Sequence, residues 1–178
     1  MKLIFFKKNY GLLLVLGIIW GSSFILMKKG IVVFSTNEVA MMRLGIAWLT
    51  LLPFTCKSIK STPKKAWKPL VIVGLFGNGI PAFLFTEAQS ELDSSLIGIL
   101  NALVPLFTFI IGIFIFKTKW KISNLLGILI GLTGAIWLIA GSGLVLDKAH
   151  YSWLIVIATL CYSISLNTIK VYLQEMSS

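Results

Sequence analysis

Charge is scarce in this sequence, and acid is scarcer still. Only 12% of its 178 residues are charged, and 6 Asp or Glu stand against 16 Lys or Arg. A soluble domain carries about 25% charged residues, so too little polar surface remains here to cover a water-soluble globule. Histidine occurs once, at His150 in a loop, and a lone imidazole makes no metal centre. The 2 cysteines, Cys56 at the end of one apolar run and Cys161 inside another, give neither metal-ligand spacing nor a disulfide framework. They are expected as small apolar residues. There is no HExxH, no aspartate pair in facing runs and no serine–lysine or serine–histidine arrangement at compatible depths. Without a general acid/base set the chain is not read as an enzyme, and no cofactor is expected.

What the chain does have is apolar length. Hydrophobic residues make up 57% of it, and the mean hydropathy is +0.94. A helical span takes about 20 mostly apolar residues, and six candidates recur: Tyr10–Met27, Val39–Phe54, Leu70–Thr86, Leu96–Phe116, Ile122–Leu146 and Trp153–Tyr172. The expected architecture is an all-α polytopic membrane protein of six transmembrane helices, with short connections that make consecutive helices antiparallel neighbours. The opening MKLIFFKK and the run after it resemble a secretory signal peptide. The run is long enough to span, however, and ends on Lys28 and Lys29 without a clear cleavage site, so it is read as a retained first span.

The net charge of +10 lies in short clusters between the apolar runs, as membrane topology requires, and not on one nucleic-acid-binding face. Eleven Lys lie in the N-terminus and the even-numbered loops: Lys2, Lys7 and Lys8, then Lys57, Lys60, Lys64, Lys65 and Lys68, then Lys117, Lys119 and Lys121. The other loops hold three, Lys28, Lys29 and Lys148. This bias places the N-terminus in the cytoplasm of a plasma-membrane protein. The lysine cluster KSIKSTPKKAWK then faces anionic lipid headgroups, and the bilayer replaces nucleic acid as the expected partner.

Sliding the chain along itself by 141 residues lays YGLLLVLGIIWGSSFILMKK over YSWLIVIATLCYSISLNTIK without a gap. Tyr10/Tyr151, Leu13/Leu154, Val15/Val156, Ser22/Ser163 and Lys29/Lys170 are identical. A unit of five spans is odd, so its repeat enters the membrane from the opposite side, the inverted arrangement of secondary transporters. The expected division is 1–146 as one five-helix unit and 147–178 as the first helix of a second, incomplete one. Two full periods need about 282 residues. The pathway is therefore expected to need a second half or a second copy of the chain.

Polar and helix-breaking residues mark the candidate site. Ser22 and Ser23 can bond carbonyls one turn earlier or a neighbouring helix, which leaves packing and a cavity wall both open. Trp20 lies near mid-span and is expected to face the bundle interior, where its indole N–H finds a partner. In GLFGNGIPAFLF, Pro81 offers no N–H to the carbonyl of Gly77, and Asn78 sits in the weakened stretch. Pro105 does the same to Asn101 in the fourth span. Broken helices at membrane depth line a cavity or are buried in protein. Arg43 either snorkels outward, toward Glu38, or faces an aqueous cavity. Gly127, Gly131 and Gly134 of the fifth span form an expected close-packing face. No acid lies at mid-span, so no buried carboxylate proton relay is expected within these helices.

WGSSF in the first span, Arg43 in the second, LNALVPLF in the fourth and LLGILIGLTGAIWL in the fifth resemble the drug/metabolite transporter superfamily, EamA type. The resemblance implies two inverted five-helix repeats with a substrate cavity between them, and export of small metabolites, amino acids or drugs. It makes Trp20, Ser22, Arg43, Asn78, Pro81, Asn101 and Pro105 candidates for cavity lining or gating. One departure is Thr118, where the family often has a Glu nine residues before the glycine of the fifth span. The other is length, which leaves a non-transporting scaffold or a truncated product as the alternative function.

Overall fold

The structure, a computed structural model, describes residues 2–59, 62–119, 121–141 and 149–174, with side chains from residue 11 onward apart from 57 and 138–149. Lys60, Trp120, Lys148 and the expected boundary between 146 and 147 lie outside the described residues. The chain is all helical: α1 (Lys2–Gly30), α2 (Thr36–Ile59), α3 (Lys64–Glu91), α4 (Ser94–Phe114), α5 (Ile122–Gly141) and α6 (Ser152–Leu173). Five of these are long and apolar enough to cross a bilayer, and α5 is apolar over Ile122–Trp137. The protein is a polytopic membrane protein, with the spans in the expected order.

Local chemistry sets the ends. α2 begins in a capping box: Ser35 accepts from the Glu38 N–H at 3.3 Å, while Glu38 Oε2 accepts from the Ser35 N–H and hydroxyl, each at 2.8 Å. The reciprocal pair satisfies donors that a helix start leaves orphaned. Glu38 is thus engaged at its own helix terminus and is not the partner of Arg43. The α3 C-terminus is closed by Lys28, whose Nζ donates to the carbonyls of Gln89 at 2.8 Å and Leu92 at 3.1 Å. A cation on the last carbonyls of a helix answers both their lost hydrogen bonds and the dipole. Lys28 therefore ties α1 to α3.

The helices are unequally buried. α6 occupies the centre, flanked by α3 and α4, with α2 against α3 and α5 against α4. Phe85, Ala88 and Leu92 of α3, Leu96 and Ile97 of α4, and Leu154, Ile155 and Ala158 of α6 form the core. Phe24, Phe85 and Tyr162 carry that core from α1 through α3 to α6, with ring centroids 6.0 and 5.7 Å apart, distances suited to tilted aromatic contact.

Candidate functional site

The two interrupted spans meet at α6. In α3, the five residues Leu75–Gly79 form a π-helix that ends just before Pro81. A proline inside a helix removes one hydrogen bond and pushes its ring at the preceding turn. Widening to a π turn accommodates both. Pro81 is buried and Asn78 is exposed. The α4 helix breaks instead into Ser94–Asn101 and Val104–Phe114, with Pro105 in the first turn of the second half. Between them Ala102 and Leu103 turn on bonds to the carbonyls of Ile99 and Leu100, at 2.9 and 3.0 Å. Asn101 Oδ1 is buried at this break without a partner among the described residues.

The polar edge of α6 fits against both halves of this arrangement. Ser163 is fully buried. Its Oγ lies 2.7 Å from the carbonyl of Thr159 and 3.2 Å from that of Val104, and it accepts from Thr108 Oγ1 at 3.2 Å. Asn167 Nδ2 donates to the carbonyls of Thr108 at 3.0 Å and Ser163 at 2.9 Å. On the α3 side, Ser165 presses on the π turn so closely that a Cβ on Gly77 would sit 2.5 Å from its hydroxyl. On the α4 side, a Cβ on Gly112 would meet Asn167 Oδ1 at 2.8 Å and Thr118 Oγ1 at 2.9 Å. Small residues here let helices approach closely enough for side chains to reach foreign carbonyls.

Pro81 and Pro105 thus belong to two breaks that share α6 as a neighbour, and Asn101 lies at the second break. Asn78 lies within the π segment of the first break and is exposed, and Trp20, Ser22 and Arg43 are placed apart from the breaks. Trp20 is 62% exposed, so the interior position expected for its indole is not the one it takes. Ser22 is exposed and bonds back to the carbonyl of Ile19 on its own helix at 3.0 Å. Arg43 sends Nη1 to the Met27 sulfur and lies within electrostatic reach of Tyr162, which puts it among α1, α2 and α6. Cys161 is buried, as a small apolar residue should be, whereas Cys56 is exposed.

The glycines of α5 differ from expectation as well. A Cβ at Gly127, Gly131 or Gly134 would meet nothing within 4 Å. Instead of a tight seam, Gly127 and Gly131 border a cavity of about 350 Å³ with Ala102 and Pro105 of α4. It adjoins a second, of about 370 Å³, that shares Pro105, Asn124 and Ile128 and runs on to Thr118, Lys119 and Lys170. Lys117, with φ 52°, turns the chain there, and the Thr118 N–H donates to the Gly112 carbonyl at 2.8 Å.

Sequence reasoning missed two groups. The first is the α6 edge, although SISLNT displays Ser163, Ser165, Asn167 and Thr168 plainly. The second is Gln89, fully buried, whose Nε2 donates to the Phe24 carbonyl at 3.2 Å and to Ser94 Oγ.

The model of the EamA-like transporter family matches residues 7–140. No curated protein and no solved structure matches the chain. The match takes in most of α1, all of α2 to α4 and nearly all of α5, including both breaks, and the chain belongs to the EamA-like transporter family.

Proposed function

We propose that the chain works in a secondary transporter that exports a small metabolite or drug across the plasma membrane by alternating access, with its N-terminus in the cytoplasm. Membership of a transporter family supports the general activity. The observation that carries the finer reading is the meeting of α6 with both interrupted spans. α6 is the helix whose sequence aligns with α1 and which runs through the membrane in the opposite sense. Two packed elements whose backbones are already broken at the contact can rock against each other without melting a regular helix. Asn101, with a buried oxygen unpartnered at one break, is the polar group best placed to be taken up by a substrate or by a rearranged helix. Trp20 and Ser22 would join the pathway only through a second half or a second copy, which would cover the exposed side of α1.

The test is substrate efflux from cells producing the full-length protein, over a broad panel of metabolites and drugs, against Asn101→Ala and Pro105→Ala. Energised export that both variants slow at unchanged protein level is the expected result. No export of any compound would leave the scaffold reading in its place. Orientation is tested separately with an impermeant thiol reagent on Cys56→Ser chains carrying either Lys65→Cys or Asp93→Cys. Labelling of intact cells at position 93 alone is expected.

A further inference from the structure

The groove between α4 and α5 starts at the second break, where Ala102 and Pro105 line it, and Thr108 and Asn167 reach it from the contact of α4 with α6. Its two walls are matched helix faces: Phe109 and Ile113 on α4, Ile128 and Gly131 on α5, parted and not interlocked. At one end stand Lys119 and Lys170, and among the described residues no acidic one lines it. Lys119 enters the lining just after the left-handed turn at Lys117, a conformation uncommon outside glycine. Lys170 lies in a second π segment, Ile169–Leu173, at the end of α6. The mouth is therefore cationic, while the depth sets apolar side chains beside the neutral polar Thr108, Asn124 and Asn167.

We infer that this groove binds an anionic phospholipid of the leaflet on the Lys119 side, its phosphate between Lys119 and Lys170 and one acyl chain against Gly131. Three features point to that ligand. The lysines complement a phosphate and nothing on the lining opposes it. The depth fits a single leaflet: Ile122 to Gly131 spans about 14 Å of helix axis, close to half of a hydrocarbon core roughly 30 Å thick. The apolar walls go on past the lysines, where a free inorganic anion would have no use for them. Each of the two adjoining cavities, about 370 and 350 Å³, is of ligand size. On the proposed orientation this is the cytoplasmic leaflet. The site shares Pro105 with the second break, and lipid binding there is read without any transport assay.

The experiment is native mass spectrometry of the full chain in detergent, titrated with phosphatidylglycerol or with phosphatidylcholine of the same acyl chains. Phosphatidylglycerol should occupy the protein at a concentration about tenfold lower, as two lysines near a phosphate allow. Lys119→Gln with Lys170→Gln should erase that preference, and Lys64→Gln with Lys65→Gln should leave it intact. Gly131→Leu, whose Cβ would meet nothing within 4 Å, should weaken retention of both lipids by filling the groove. Glycerol phosphate, the headgroup without chains, should fail to compete. Equal retention of the two lipids, equal loss in the Lys64/Lys65 control, unchanged binding in Gly131→Leu, or full competition by glycerol phosphate would each overturn the site. All variants are first compared with the parent by far-UV circular dichroism and elution, so that a misfolded chain is not scored as a lost site.

Discussion

α1 and α6 align without a gap and share Ser22/Ser163 in register, yet 6% of the α1 span is buried against 50% of α6. Ser22 satisfies itself on the Ile19 carbonyl one turn back. Ser163 has the same option at Thr159, but it is also within reach of Val104 and Thr108 of α4. Position 24 is Phe in α1, packing on Phe85, where α6 has Ser165 against Gly77. A small polar residue in a membrane helix thus has no fixed meaning. Whether it is idle, glue or part of a pathway depends on the helix opposite. On the proposed inverted repeat, the broken, glycine-containing surface of α3 and α4 that α6 packs against is the kind that α1 would meet in a second unit.

The largest break in that comparison should come from glycines. Gly112→Leu drives a side chain into the space of Asn167 and Thr118, and overpacking of this kind costs about 1–3 kcal/mol. A Cβ at Gly21 in α1 would meet nothing within 4 Å, so Gly21→Leu should not lower stability. Unfolding by SDS titration in mixed micelles measures both. Equal effects would mean that α1 is as tightly enclosed as α6.

Next in size is Asn167→Leu. It removes the bonds to the Thr108 and Ser163 carbonyls, and interhelical hydrogen bonds in membranes are worth about 0.6 kcal/mol each, at most about 1.7. A loss of about 1–2 kcal/mol is expected in the same titration. Leu26→Ala at the aligned position of α1, which is 67% exposed, should cost much less. A similar loss from both would show that the hydrogen bonds of Asn167 add nothing to the packing of α6.

How much of this was legible in the sequence follows from the range of the interactions. Span number, order and approximate ends come from apolar length, which is a local property, and the family follows from short motifs along the chain. The breaks were legible because Pro81 and Pro105 act within one turn. Asn101 was rightly put at a break, but its unpartnered oxygen depends on what the rest of the bundle withholds. The capping box at Ser35 and Glu38 was just as local and just as readable, in STNE. A competing reading of the same residue, Glu38 as a partner for Arg43, masks it. The function of Lys28 was hidden for a different reason: its two carbonyl partners lie more than 60 residues away. Gly127, Gly131 and Gly134 show the limit of pattern. Four-residue spacing permits close packing, but only a facing helix can realise it, and here the face borders a cavity.

Lys28 and Ser22 give the finest test of the comparison, because both lie in α1 and only one reaches another helix. Lys28→Met keeps the apolar stem and removes the ammonium that closes the end of α3. The carbonyls of Gln89 and Leu92 would then turn to water or headgroups at the membrane margin, so the cost should be limited to about 1 kcal/mol. Hydrogen exchange should quicken in the last turn of α3 and not in its π segment. Ser22→Ala removes a hydroxyl bonded only to its own helix, and a change within about 0.5 kcal/mol is expected. If Ser22→Ala instead cost as much as Lys28→Met in this same chain, the exposed face of α1 would already be engaged, by a second copy. Cross-linking at that face, through Ser22→Cys, would then have to show a dimer. Without the dimer, the asymmetry between α1 and α6 would need another cause than a missing neighbour.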